Sequence, residues 1–221
     1  MRIKAVLFDR DGTLTDFDRT WGPAISHVLR DLAGGDPEIL RVLQDLAMFD
    51  VERACFTGPS VLKVQSPADY SAGWAQVIGE SDPKAMLERI ETTLLEHCAR
   101  TVTPFDGVVD TLKTIHADGL PMGIATNGTE ASARKQMHAL GLGEAFGFLA
   151  GYDSGHGSKP EPGQLLAFAR RQPLPDSALG YTMDHSSLFY LVDRKGQPRV
   201  ALHDFLTPDE LAVMLHRSIN W

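Results

Sequence analysis
An apolar run, Ala5-Val6-Leu7-Phe8, stops abruptly at Asp9-Arg10-Asp11-Gly12-Thr13, and no other stretch restricts the fold as tightly. Four to eight apolar residues closed by a turn signal read as a buried parallel strand. In an open α/β sheet, ligands bind in the crevice beyond the carboxyl ends of such strands. Asp9 then lies at a strand end and Asp11 on the turn after it, where Gly12 allows a sharp bend. A carboxylate at that place can attack phosphorus and form an aspartyl phosphate. A second carboxyl off the line of attack can protonate the leaving oxygen and later activate water. Two acids beside a phosphate call for a cation, and Mg²⁺ takes oxygen ligands and accompanies phosphates. A calcium loop also contains DxDG, but it has no apolar strand in front and needs a longer ligand set.

The segment Phe8-Asp9-Arg10-Asp11-Gly12-Thr13-Leu14 resembles the first motif of the haloacid dehalogenase-like (HAD) hydrolase superfamily. A second apolar strand, Pro121 to Ala125, ends in Thr126-Asn127-Gly128, similar to the second motif. The helix from Glu130 to Leu140 aims its first amides at the same place. After a third strand, Phe146 to Ala150, Lys159 before a proline-started segment resembles the third motif. The fourth should be a strand ending in an acid, and Asp184 falls about where the family places it. There the pattern departs: Met183 replaces the usual glycine, and Leu188 and Phe189 stand where a second acid belongs.

The resemblance implies a Rossmannoid parallel sheet with helices on both faces and an inserted helical C1-type cap. The core would take residues 1–18 and 101–221, with 181–221 an atypical hairpin-plus-helix tail, and the cap would take 19–100. It further implies a Mg²⁺-dependent phosphatase similar to phosphoglycolate phosphatase. Asp9 is its nucleophile and Asp11 its acid/base. Thr126, Asn127 and Lys159 hold the phosphoryl, and Asp9, Asp11 (through its carbonyl) and Asp184 bind metal. A phosphosugar mutase of the same superfamily shares these residues. A catalytically impaired binding protein is the reading that the altered fourth motif favours.

Helical spacing fills the inserted region. Trp21, Ile25, Val28, Leu29 and Leu32 form one stripe, stopped by Gly34-Gly35. Ile39, Leu40, Leu43 and Leu46 form a second, Ala68 to Ile78 a third helix, and Met86, Ile90, Leu94 and Leu95 a fourth stripe. Phe17, Asp18, Arg19 and Trp21 lie where the chain leaves the core and could face a substrate; Arg19 reads as a solvated hinge residue.

From Tyr181 to Gln197 the chain resembles instead the C-terminal part of the SCO/SenC copper chaperones, in which the histidine matching His185 is a copper ligand. That site also needs a CxxxC pair, whereas Cys55 and Cys98 are far apart, so copper is not expected here. Leu188 to Val192 and Arg199 to Leu202 read as a hairpin, and Thr207-Pro208-Asp209-Glu210 opens a last helix.

A net charge of −8 argues against a nucleic-acid surface, and positive charge must therefore be gathered locally to hold a phosphate. No apolar run is long enough to span a bilayer and the N-terminus carries no signal-peptide pattern, so a cytoplasmic protein acting on a small phosphorylated metabolite is expected, as monomer or homodimer.

Overall fold
A computed structural model of the chain describes residues 5–171 and the backbones of two later strands, Leu188–Val192 and Pro198–His203. Asp184, His185 and the expected last helix lie outside the described residues. Among the described residues, no helix is long and apolar enough to cross a membrane. The described residues divide into two compact units, one from residues 5–15 and 104–171, the other Asp16–Thr103.

The first unit is built on a parallel sheet of three strands, β1 (Val6–Phe8), β4 (Met122–Ala125) and β5 (Phe148–Ala150), in the order β1-β4-β5. Phe8 pairs with Ile124, and Ala125 with Ala150, so the three strands finish level. That register is what brings their carboxyl ends to one edge. Helices α5 (Val108–Ala117), α6 (Glu130–Ala139) and α7 (Gly163–Arg171) cover the sheet. Alternation decides which residues each face receives. Phe8, Met122, Ile124 and Leu149 join Leu112, Ala133 and Met137 in one core. Ala5, Leu7, Phe148 and Ala150 pack with Phe168 of α7 in the other. Gly123 faces that second core, where a Cβ would collide with the Phe168 ring. The strands β6 (Leu188–Val192) and β7 (Pro198–His203) pair antiparallel.

The second unit is a bundle of α1 (Phe17–Ala33), α2 (Pro37–Ala47), α3 (Pro67–Ile78) and α4 (Pro83–Thr101). Its starts are written in the sequence. Asp16, Asp36 and Asp82 each accept hydrogen bonds from amides of the first turn, and proline opens α2, α3 and α4. Gly34, in the left-handed region, closes α1. Trp21, Ile25, Leu29, Leu43, Met86 and Ile90 meet in the core.

Two expectations are corrected here. Trp21 lies in the bundle core, as its place in the helical stripe implies, and so does not face a ligand. Leu46 is 40% exposed, because the buried seam of α2 runs through Leu43 and Ala47 and Leu46 falls beside it. The irregular stretch after α2 also holds an unforeseen pair of short strands, β2 (Phe49–Asp50) and β3 (Cys55–Phe56).

The turn between β2 and β3 carries Ala54 at φ +51°, and its carbonyl lies against Gly22 of α1. Gly→Ala inside a helix ordinarily stabilises by roughly 0.5–1 kcal/mol. Here the added methyl would overlap the Ala54 carbonyl oxygen, a backbone atom that cannot rotate away. Gly22→Ala is expected to destabilise by about 1–3 kcal/mol, the usual range for overpacking, read as a lower urea midpoint.

Candidate active site
The level strand ends place Asp9 after β1, Thr126 after β4 and Gly151 after β5. Gly12, at φ +82°, turns the chain back so that its amide bonds the Thr15 carbonyl at 2.8 Å. Lys159 arrives on the loop after β5 and closes the site. Its Nζ lies 2.5 Å from Asp9 Oδ1, across 150 positions of sequence. The Lys159 side chain is 14% exposed and that of Asp9 39%. The cation is therefore shielded while the carboxylate stays partly exposed.

Lys159 is held by its own backbone. Asn127 Nδ2 donates to the Lys159 carbonyl at 3.0 Å, and the Lys159 amide donates to Asn127 Oδ1 at 2.7 Å. Beneath them Gln164, fully buried in the first turn of α7, donates through Nε2 to the carbonyls of Thr126 (3.1 Å) and Gly157 (3.0 Å). Gln164 thus ties the loop after β4 to the loop that carries Lys159.

Thr126 is buried. Its Oγ1 accepts from the Gly128 amide at 3.0 Å and makes a long contact, 3.4 Å, with Asp11 Oδ2. Asp11 also receives Arg10: Nε at 2.8 Å and Nη2 at 2.7 Å both reach Oδ2. Arg10 Nη1 donates to Ser132 Oγ in the first turn of α6 at 2.8 Å. Asp9, Asp11, Thr126, Asn127 and Lys159 are thus brought together; Asp184 lies outside the described residues.

Sequence reasoning passes over Arg10, Ser132 and Gln164. A signal exists for Arg10: alternation beyond Phe8 puts it on the face of the sheet that α6 covers. None exists for Gln164, since a glutamine in a helix's first turn is ordinarily solvated.

A divalent cation can be tested against this donor set. Asp9 Oδ1 accepts from Lys159 Nζ and from the Arg10 amide, while Oδ2 accepts no hydrogen bond among the described residues. A half-exposed carboxylate oxygen beside a bend suits a hard, oxygen-seeking ion such as Mg²⁺. The Asp11 carboxylate is engaged with Arg10, so its backbone carbonyl is the better donor. Among the described residues no three His, Cys, Asp or Glu side chains converge.

Glu130, at the start of α6, braces the site's edge. It accepts from Ser154 Oγ at 2.6 Å and from Arg134 at 2.7 Å. The Ser154 hydroxyl, and then Arg134, hold its carboxyl below the usual range against the opposing effect of burial. A lowered folded-state value means the stabilisation is present above the unfolded value and is lost as pH falls through the folded one. Glu130→Gln is expected to destabilise by about 0.5–1 kcal/mol at pH 7, and the gap should close toward pH 3. Denaturant midpoints of both proteins at the two pH values check this.

The profile of the haloacid dehalogenase-like hydrolases matches residues 3–178. N-acetylmuramic acid 6-phosphate phosphatase of Pseudomonas aeruginosa is 33% identical over 168 residues, covering 75% of this chain. This chain spans 66% of that relative's length. Phosphoglycolate phosphatase of Escherichia coli is 25% identical over 231 residues, covering 99% of this chain and 90% of its own, so the match runs past residue 180. The crystal structure of CbbY from Rhodobacter sphaeroides in complex with phosphate shares the fold, with a TM-score of 0.53 at 17% identity over 76% of this chain and 72% of that one.

Proposed function
The chain belongs to the haloacid dehalogenase-like hydrolase family, and from that premise we propose that it is a Mg²⁺-dependent phosphatase of a small phosphorylated metabolite. The observation that carries the proposal is the Lys159–Asp9 contact, with Asp11 and Thr126 beside it. A lysine and a carboxylate so far apart in sequence meet where a parallel sheet offers its binding edge.

Asp9 is the nucleophile. Its carboxylate oxygen forms a bond to phosphorus as the bond to the leaving oxygen breaks, giving an aspartyl phosphate. Asp11 gives a proton to the leaving oxygen, then takes one from the water that cleaves the acyl phosphate. Thr126 and the amide of Asn127 face the phosphoryl oxygens, and Lys159 balances their charge in a partly dry pocket. Asn127 also acts through its side chain, which fixes the main chain from which the lysine extends. Mg²⁺, held by Asp9, the Asp11 carbonyl and Asp184, would supply positive charge against the phosphate oxygens.

The names of the relatives favour a phosphorylated small acid or sugar acid as substrate. The test is a phosphate-release screen with Mg²⁺ over small phosphomonoesters, including p-nitrophenyl phosphate, phosphoglycolate and N-acetylmuramic acid 6-phosphate. Release that EDTA abolishes and added Mg²⁺ restores is expected. No release from any ester would overturn the proposal.

A further inference from the structure
We propose that Arg10 is a positioning residue for Asp11, holding the acid/base carboxylate in place from beneath the sheet edge. The inference rests on the phosphatase reading above and goes beyond it, by giving a role to the residue between the two acids.

Arg10 is 1% exposed. A buried guanidinium without a partner carries a large desolvation penalty, so its pairing is obligatory. Its partners are specific. Nε and Nη2 converge on one oxygen of Asp11, Oδ2. The third nitrogen, Nη1, is anchored on Ser132, whose own hydroxyl donates to the Thr129 carbonyl at 2.8 Å. The guanidinium lies against the Cα of Gly128, and a Cβ there would overlap Nη2. Arg10 therefore locks Asp11 to the start of α6, the helix that follows Thr126-Asn127-Gly128.

The consequence is orientational. Two charged hydrogen bonds on Oδ2 fix the carboxylate plane. Oδ1 keeps a long 3.5 Å contact with Thr15 Oγ1 on the same turn. Displacing a catalytic group by about 1 Å can cost on the order of 10²-fold in rate.

The test uses the dependence on leaving group. p-Nitrophenolate departs without a proton, whereas phenolate and p-methoxyphenolate need one. Wild type, Arg10→Met, Arg10→Lys and Ser132→Ala are compared by kcat/KM on the three aryl phosphates, since kcat/KM reports phosphoryl transfer to Asp9. Arg10→Met should lose about tenfold more on p-methoxyphenyl phosphate than on p-nitrophenyl phosphate. Arg10→Lys should recover part of that difference, and Ser132→Ala should show a smaller one of the same sign. A merely structural arginine would lower all three substrates equally, and that result overturns the inference. Should Arg10→Met show no cooperative thermal transition, the other two variants decide: unchanged leaving-group slopes in both overturn it. Wild-type inactivity on all three esters would instead count against the phosphatase reading, and the inference would fall with it.

Discussion

Asp9→Asn is expected to abolish phosphate release, by on the order of 10⁴-fold or more, the scale on which loss of a catalytic nucleophile acts. The carboxamide is nearly isosteric, but its oxygen is a far weaker nucleophile toward phosphorus and it carries no charge. The fold should hardly notice. Asp9 lies beyond the last paired residue of β1, its side chain is 39% exposed, and an amide oxygen can still accept from Lys159. Surface changes of this kind usually shift stability by less than about 0.5 kcal/mol. The pair of measurements is inorganic phosphate from p-nitrophenyl phosphate and a urea midpoint. Loss of activity at an unchanged midpoint supports the nucleophile. Undiminished hydrolysis would remove Asp9 from that role and with it the aspartyl phosphate.

Lys159→Met should be the next most damaging change, lowering kcat/KM by about 10²–10³-fold. Methionine keeps the length of the side chain and removes only the ammonium that lies 2.5 Å from Asp9 Oδ1. An anionic substrate must then approach an unbalanced carboxylate, where charge interactions are weakly screened. Asn127→Ala should act in the same direction and less strongly, because it frees the Lys159 main chain from two hydrogen bonds while keeping the charge. If Asn127→Ala proved as harmful as Lys159→Met, the amide itself would have to touch substrate. Steady-state kinetics of the two variants on one ester separate these roles.

Much of the local structure is legible in the residues. The strand ending at Asp9, the strand ending at Thr126 and the helices opened by Asp-Pro pairs need only short-range rules: alternation, caps and the rigidity of proline. The order of the three motifs along the chain also points to one sheet edge. Other features are hidden. Trp21 reads both as the head of a helical stripe and as a residue that could face a ligand, and only its packing in the bundle core decides between the two. The short β2–β3 pair has no periodicity to detect at two residues per strand. Asn127 reads as a phosphate-holding residue on the turn after β4, and nothing nearby in sequence announces that its side chain grips a backbone 32 positions away.

Arg10 shows where the division lies. Its side of the sheet follows from counting along β1, since alternation is a property of any extended backbone. That it would be a buried cation between Asp11 and Ser132 does not follow, because Ser132 is 122 residues distant and Gly128 must leave room. The sequence by itself determined the longer elements, their ends and the acids that follow them, since neighbouring residues settle those through dihedral preference and capping. Only the tertiary structure decided that Lys159 meets Asp9, that Gln164 ties the two loops and that Arg10 holds Asp11. Those contacts exist because packing the two faces of the sheet fixes distant loops against each other, and burial then forces each polar group to find the partner that packing has brought near.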